Sequence, residues 1–542
     1  MGQGMGFEIQ DGLHGKASTL RVARALKRMG RWIFPCALSG LLMGLAFPSA
    51  SIWPLAWLGL VPLLWSLEKA DLRRGFFKGW MTGLLFHCVA GYMTARSHPI
   101  TALLGPYLGL SWGAFGLLYC WLRRRRVPSW LCCCLSWPLA EALRRLGPLA
   151  FPWIPLAVSQ APVPFMIQVV AWTGTMGLSS LIAGWNGWLV DVFQRLRKGA
   201  SQERFSPVRQ AHMAVLPVLV LFVVLSGVMI LRHADNVVDS LSSSKRIRVG
   251  AIQANIEGEL KWSGDYYDEA LKIYSDLTRE AAKADPELIV WCECSLGDTT
   301  EITSEMVPLD VCKLAQEIGI PILVGAVHHD RVRGRSYNSA TVVSPSGRMI
   351  GRYDKMKLLP FAETVPEGLG FLAGEHARET GYEPAERQVL LSLFPSMTKR
   401  RDTVKFGVLI CFEALFTELA RAFPRLGADF FVHLSDEYWY RDPNASRQSA
   451  AMDILRAVEI RRSLVRASNA GPSSLIDPWG RTTTTFRDKE GQACFTPGAV
   501  VGEVLLVEGE TLYSRVGDWV TVGCLGLYAL LFCLSFRRKR RL

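Results

Sequence analysis

Phe406-Gly407-Val408-Leu409-Ile410-Cys411-Phe412-Glu413 decides the fold of the second half of this chain. An apolar, β-forming run ends abruptly in a thiol and a carboxylate, as a buried strand does where it emerges at the rim of a sheet. The pattern returns in Leu288-Ile289-Val290-Trp291, which leads into Cys292-Glu293-Cys294. Further strands are expected at Ile247 to Gln253, Ile322 to Val327, Ala340 to Ser344 and Phe430 to His433. Helical patterns fall between and beyond them, at Tyr266 to Ala282, Leu309 to Ile318 and Ala445 to Val465. Strands separated by helices predict an α/β domain over about 245–510.

Ligand clefts form at strand ends in open α/β sheets. Three such ends carry reactive side chains: Glu293, Cys411 and, in Tyr353-Asp354-Lys355 ahead of Leu358-Leu359-Pro360-Phe361, Lys355. A thiol becomes a strong nucleophile when a base takes its proton or a cation holds its thiolate. Glu293 suits the base, and later the acid that protonates a departing group. Lys355 suits a thiolate and a tetrahedral oxyanion, helped by a backbone amide near Phe412. The set needs no metal and no cofactor.

Outward from this domain the composition changes. Of the 542 residues, 50% are hydrophobic and 18 are Trp. The apolar residues crowd into 32–232 and a short stretch near the C-terminus. Stretches near the roughly 17–25 residues that cross a bilayer as a helix lie at about 32–48, 52–67, 76–95, 100–122, 127–143, 163–193, 213–232 and 516–536. About eight transmembrane helices are therefore expected. The signal-peptide-like start, with small residues at Ser49, Ala50 and Ser51, is read as the first of them, because its apolar run is long and further spans follow at once.

The net charge of +13 would suit nucleic acid if the basic residues formed one patch. They sit instead in short runs between apolar stretches, so no nucleic-acid partner is expected. Alternation puts Lys16 to Arg31, Lys69 to Lys78, Arg123 to Arg126, Arg195 to Arg209 and Arg537 to Arg541 on one side, as the positive-inside rule requires of cytoplasm. Arg144 and Arg145 break the pattern. The expected organisation is a cytoplasmic basic arm (1–31), transmembrane helices 1–7 (32–235), an extracytoplasmic catalytic domain (245–510), an eighth helix (516–536) and a cytoplasmic tail (537–542).

Thirteen Cys do not make a secreted disulfide framework, since most lie in or beside apolar spans. Cys292 and Cys294 are expected to pack, because no further Cys or His cluster completes a metal site. His328 and His329 read as a solvated strand end, His433 as a satisfied core histidine, and Asp436 and Glu437 as loop charges.

The segments around Glu293, Lys355 and Cys411 resemble the Glu, Lys and Cys motifs of the nitrilase (carbon-nitrogen hydrolase) superfamily. With the membrane spans, nearly the whole chain resembles the apolipoprotein N-acyltransferase family. The echoes are Phe151-Pro152-Trp153 with Ser159-Gln160, Gly177-Leu178-Ser179, Gln253-Ala254-Asn255-Ile256 followed by Lys261-Trp262, and Tyr337-Asn338-Ser339. Lys355 followed by Glu363 within Leu359-Pro360-Phe361-Ala362-Glu363-Thr364-Val365-Pro366 is the strongest.

The resemblance implies a four-layer αββα sandwich on an α-helical membrane domain in the bacterial inner membrane, acting as a monomer. It implies a phospholipid acyl donor, a cysteine thioester, and the α-amino group of a diacylglyceryl-cysteine prolipoprotein as acceptor. It makes Cys411 the nucleophile, Glu293 the base and Lys355 the stabiliser. Glu363, Glu413, Asn338 and Phe412 would support them, and Trp262 and Trp439 would bind substrate. Leu369, Phe371, Leu372 and Tyr438-Trp439-Tyr440 are read either as a lid or as ordinary packing.

Departures from the family pattern are Cys292 and Cys294 flanking Glu293, Ala362 in place of Gly, Phe412 in place of Tyr and Ser449 in place of His. Two other readings stand at this stage: a membrane-tethered amidase with water as acceptor, and a degenerate homologue that binds lipoprotein without catalysis.

Overall fold

The computed structural model describes residues 30, 32–48, 50–92, 104–198, 207–262, 266–297, 306–368, 370 and 381–539. The basic arm over 1–29, residues 93–103 and Leu369, Phe371 and Leu372 lie outside the described residues.

The second half holds two six-stranded sheets. The first contains β1 (Arg246–Gln253), β2 (Leu288–Val290), β3 (Ile322–Asp330), β4 (Arg335–Val343), β5 (Met349–Asp354) and β12 (Gly498–Leu505), in the order β12-β1-β2-β3-β4-β5. The second contains β6 (Leu391–Leu393), β7 (Val404–Ile410), β8 (Phe430–Ser435), β9 (Leu464–Ser468), β10 (Ser474–Ile476) and β11 (Thr482–Thr485), in the order β11-β10-β9-β8-β7-β6. Each sheet has a parallel centre, β1-β2-β3 in one and β7-β8-β9 in the other, with antiparallel flanks.

The strands are apolar on both faces because both faces are covered. Leu288 and Val290 of β2, with Val408 and Ile410 of β7, point into a core between the sheets. Ile289 points the other way, against helices Tyr267–Ala282 and Leu309–Ile318. Leu409 and Phe431 face outward too, against helices Thr417–Leu426 and Pro443–Ile460. The layers run helix, sheet, sheet, helix, which is the nitrilase-like sandwich.

The last of those layers is shared. Its apolar cluster runs without a break into the N-terminal helices, from Phe412 and Leu455 to Trp153, Phe86 and Met43. Helix Pro443–Ile460 forms the hinge of this seam. Gln448 accepts from Trp153 Nε1 at 2.8 Å and donates to the carbonyls of Ala90 at 2.7 Å and Pro48 at 3.2 Å. Arg456 donates to the Thr175 hydroxyl at 2.8 Å, and the Thr175 amide donates to Glu459 at 2.8 Å.

The N-terminal half is helical over Trp32–Leu45, Val61–Leu67, Leu72–Ala90, Leu104–Arg123, Ser129–Leu143, Val170–Lys198 and Pro207–Ser240, and Trp519–Lys539 returns to it. Helices Leu72–Ala90 and Leu104–Arg123 touch backbone to backbone. A methyl group on Gly79 would stand 2.1 Å from the Trp112 carbonyl, and one on Gly116 2.1 Å from the Gly75 carbonyl, so only glycine permits this approach. One end of the bundle gathers basic segments: Arg123 pairs with Glu68 at 2.6 Å, and Asp191 accepts from the amides of Ser129 and Trp130 at 3.1 and 3.2 Å. The opposite end carries the sheets.

Several expectations need correction. The helix expected over Ala445 to Val465 stops at Ile460, where Arg461 turns left-handed (φ 50°) and the chain re-enters the sheet as β9. The span expected at 52–67 is two pieces, a 3-10 turn over Trp53–Trp57 and a helix over Val61–Leu67. That expected at 163–193 is broken at Gly174, whose φ of 66° no helix accommodates. Among the described residues one helix, Met213–Ser240, is long and apolar enough to cross a membrane by length and composition. Trp32–Leu45, the broken segment Trp53–Leu67 and Trp519–Leu534 are apolar but shorter.

Candidate active site

Lys355 follows β5 and lies 1% exposed between two carboxylates. Its Nζ is 3.0 Å from Glu293 Oε1 and 2.8 Å from Glu363 Oε1. Asn338 on β4 donates its amide to the same two oxygens at 2.8 Å each, and its carbonyl accepts the Lys355 amide at 2.8 Å. Glu363 Oε2 accepts from Leu359 N at 2.8 Å, which closes the Lys355–Glu363 segment on itself. Two carboxylates, one ammonium and one amide thus form a ring with its members fixed by backbone bonds.

Burial alone would favour the neutral forms. In Lys355 the desolvation is overcome by Glu293 and Glu363, with Cys411 adding to them, and the ammonium is held well above its ordinary value. In Glu293 desolvation is outweighed by the charge and hydrogen bond of Lys355, then by Asn338 and Lys261, and the carboxyl is held below its ordinary value. Both groups are charged at neutral pH.

Cys411 directly follows β7 and opens a 3-10 turn over Cys411–Leu415. Its φ is 50°, the left-handed region that non-glycine residues enter at a cost of about 1–3 kcal/mol. Burial pushes its thiol well up, and Glu293, Glu363 and Glu437 push it further against the pull of Lys355. The resting group is a thiol beside an ionised carboxylate and an ammonium. Such an arrangement can pass a proton from sulfur to carboxylate when an electrophile arrives.

Glu413 faces the other way. It accepts from Tyr353 Oη at 2.8 Å, Met356 N at 2.6 Å and Ile410 N at 2.8 Å, and so ties the strand before Cys411 to the segment after Lys355. Burial pushes its carboxyl up to about 7, with the amides of Ile410 and Met356 pulling against it. The Phe412 ring leaves the site for the helical half, 5.7 Å from Phe151 and 5.1 Å from Phe416. Trp439 sits at the rim on the turn Tyr438–Tyr440, 44% exposed and lying over Gly258. Trp262 follows the helical turn Gly258–Lys261 and is half-buried.

The sequence reading missed a second tier of charge. Lys261 is buried and donates to the Glu293 carbonyl at 2.8 Å and to Asp436 Oδ2 at 2.7 Å. The Asp436 amide donates to Glu293 Oε2 at 3.1 Å. Arg466 on β9 pairs with both Glu437 and Asp453. Asp436 and Glu437 are therefore not loop charges but are 6% and 1% exposed, beneath the site. They follow directly from β8, so the strand-end pattern that singled out Glu293 and Cys411 was there to find them. Lys261 stood in the quoted motif with Trp262, at the end of the helical turn Gly258–Lys261.

His433 is buried with both ring nitrogens bonded, Nδ1 at 2.8 Å from Asp453 and Nε2 at 3.1 Å from the Cys411 carbonyl. Ser449 accepts from Arg466 at 3.2 Å. Cys292 and Cys294 pack beside Glu293, against Tyr274 Oη at 2.9 Å and Asn338 Oδ1 at 3.6 Å.

Comparison with known proteins divides the chain where the structure does. The profile of a carbon-nitrogen hydrolase domain matches residues 248–494, and that of an apolipoprotein N-acyltransferase N-terminal domain matches residues 39–188. A solved carbon-nitrogen hydrolase from Helicobacter pylori is 16% identical, covering 48% of this chain and 90% of its own, with a TM-score of 0.35. The apolipoprotein N-acyltransferase of Chlorobaculum tepidum is 26% identical over 93% of this chain and 96% of its own length. That of Geobacter metallireducens is 32% identical over 93% of this chain and 95% of its own. At that identity, over nearly the full length of both proteins, the chain belongs to the apolipoprotein N-acyltransferase family.

Proposed function

We propose that this protein moves a fatty acyl chain from a phospholipid, through a thioester on Cys411, to the free α-amino group of a diacylglyceryl-cysteine lipoprotein. The observation that carries the reading is the buried Lys355, bridging Glu293 and Glu363 at the strand ends that also present Cys411.

In the first step the Cys411 proton passes to Glu293 as sulfur attacks the ester carbonyl. Lys355 and the Phe412 amide stabilise the negative oxygen of the tetrahedral intermediate. The C–O bond breaks, Glu293 returns the proton to the departing lysophospholipid alkoxide, and the acyl group remains on sulfur. In the second step the lipoprotein amine attacks the thioester carbonyl and gives a proton to Glu293. The C–S bond breaks, the thiolate takes the proton back, and an amide is released. Glu363 and Asn338 hold Lys355 and Glu293 in place, Glu413 holds the two segments together, and Trp262 and Trp439 line the approach.

Both substrates are lipids, and extracting an acyl chain into water costs about 0.8 kcal/mol per CH₂. A site against the bilayer avoids that cost. Support for a multi-pass membrane half comes from its surfaces and lengths. Helix Pro207–Ser240 exposes Val218, Leu221, Phe222, Leu225 and Met229, and helix Trp519–Lys539 exposes Val522, Leu525, Leu530 and Phe532. Bands of this kind are covered by lipid in spanning helices. Helix Leu72–Ala90 has 19 residues, about 28 Å at 1.5 Å per residue, and runs from the basic end of the bundle to the seam.

The basic end is assigned to the cytoplasm and the sheets to the outer face of the bacterial inner membrane. Arg144 and Arg145, on the wrong side for the positive-inside rule, spend their charge on the Trp153 carbonyl and on Asp518, at 2.9 and 2.8 Å. We assign the enzyme as a monomer.

The test is acyl transfer by the purified protein from radiolabelled phospholipid to a synthetic diacylated lipopeptide. Label should reach the lipopeptide with a free α-amine and not the same peptide with that amine acetylated. Release of free fatty acid at the same rate with or without peptide would make the protein a hydrolase instead, and no turnover of either kind would make it a binding homologue.

A further inference from the structure

The nucleophile's carbonyl does not face solvent or a helical partner. It is taken by a histidine from the neighbouring strand. His433 on β8 lies across from Leu409 of β7, and its Nε2 is 3.1 Å from the Cys411 carbonyl oxygen. A carbonyl only accepts, so Nε2 carries the hydrogen. On the far side Nδ1 is 2.8 Å from Asp453 Oδ2 and 3.0 Å from the donor Arg466 Nη1, and Arg466 also pairs with Asp453. All three side chains are buried, at 1%, 0% and 0% exposure. A polar chain of this kind, placed under a left-handed residue, does more than satisfy a core histidine.

The consequence lies in the peptide plane. The Cys411–Phe412 bond is trans, so its carbonyl and its N–H point in opposite directions within one rigid unit. Fixing the carbonyl on His433 fixes the Phe412 N–H on the opposite side. That amide precedes the first hydrogen bond of the 3-10 turn over Cys411–Leu415, where backbone donors have no partner inside the helix. It is also the amide that the thioester mechanism needs for its oxyanion.

We propose that His433, held by Arg466 and Asp453, is a positioning residue for acyl transfer: by binding the Cys411 carbonyl it locks the Cys411–Phe412 peptide plane and aims the Phe412 amide at the oxyanion. The inference rests on Cys411 being the nucleophile. His433 touches neither substrate nor sulfur and acts only through the backbone. The same bond holds Cys411 at φ 50°, a conformation that a free turn would leave.

The test uses two reactions of one thiol. Acylation by a phospholipid passes through an oxyanion, whereas alkylation by iodoacetamide is a displacement at carbon that forms none. In detergent-purified full-length protein, His433→Leu should slow single-turnover acylation on the order of 10- to 100-fold. Alkylation of Cys411, followed by peptide mass, should change by no more than about twofold, because no oxyanion amide takes part. His433→Gln keeps an N–H donor on a side chain long enough to reach the carbonyl and should recover most of the acylation rate.

Acylation of His433→Leu at the wild-type rate would overturn the proposal. So would a parallel fall of both reactions, or a Gln variant no better than Leu. Cys411→Ala, run beside them, separates the other failure: acyl label persisting in that variant would remove the nucleophile itself and leave the His433 rates without bearing on it.

Discussion

Two buried clusters of charge lie on either side of the second helix layer, and they are built on different arithmetic. At the seam each cation has its own anion: Arg145 with Asp518 at 2.8 Å, Arg456 with Glu459 at 2.8 Å, Arg144 with Glu141 at 3.5 Å. At the site two of the three cations are shared, and Lys261 keeps Asp436 to itself. Lys355 serves Glu293 and Glu363, and Arg466 serves Glu437 and Asp453. The seam cluster is neutral and joins two halves of the molecule. The site cluster has more carboxylate than cation, and burial first, with Glu293, Glu363 and Glu437 adding to it, raises the Cys411 thiol.

Breaking the shared cation should have the largest effect. Lys355→Met leaves Glu293 and Glu363 facing each other with no positive charge between them, and acyl transfer should fall by roughly a thousandfold or more, as when an oxyanion donor is lost. Folding should suffer too, by about 3–5 kcal/mol, because buried charges are left uncompensated. Single-turnover acylation and the denaturation midpoint in detergent report the two separately.

At the seam the same operation should strike stability alone. Arg456→Leu strands Glu459 and should cost about 3–5 kcal/mol, while the double variant with Glu459→Leu should recover most of that loss. The acylation rate per folded molecule should stay within about threefold in both variants, since neither residue reaches the oxyanion. A double variant as unstable as the single one would show that the seam does not work as isolated pairs.

Glu413 sharpens the contrast, because it is buried at the site with no cation of its own. Its carboxyl is raised from 4.5 to about 7 in the folded protein. A raised acid contributes stability that is fully present below the unfolded value and is lost as pH rises through the folded one. Wild type should therefore lose stability between about pH 4.5 and 7 relative to Glu413→Gln, by at most about 1.4 kcal/mol per pH unit. The difference in Tm between the two proteins, measured from pH 5 to 8, should drift toward the Gln variant. A constant difference would refute the shift.

The smallest effect is expected at the rim. Trp439→Ala removes a half-exposed ring that lies over Gly258. It should raise KM for lipopeptide by a few-fold, about 1 kcal/mol or less, and leave kcat nearly unchanged.

The centre of the first sheet and the candidate site residues were legible in sequence because strand ends announce themselves, whereas β12 of that sheet was not foreseen. Apolar runs closed by Glu293 and Cys411 are strong local signals, and Leu309–Ile318 is bounded as its periodicity predicts. The second sheet was harder. β9 was read as the end of a helix because Arg461 and Arg462 carry no Gly or Pro to mark the break. The left-handed turn at Arg461 is fixed by tertiary contact, its guanidinium on the Pro478 carbonyl at 3.0 Å. β11, a run of four threonines (Thr482–Thr485) half open to solvent, has no apolar alternation to read. Asp436 and Glu437 were misplaced because charged residues after a strand usually meet water. Only the arrival of Lys261 and Arg466 from distant parts of the chain makes their burial possible.

The central claim is that Cys411 carries the acyl group, and one measurement meets it directly. Purified protein is incubated with phospholipid alone, digested and searched by mass for an acylated peptide containing Cys411. A hydroxylamine-labile adduct is expected on that residue, absent in Cys411→Ala and in Lys355→Met. An adduct on another residue, or one that survives in Cys411→Ala, would contradict it.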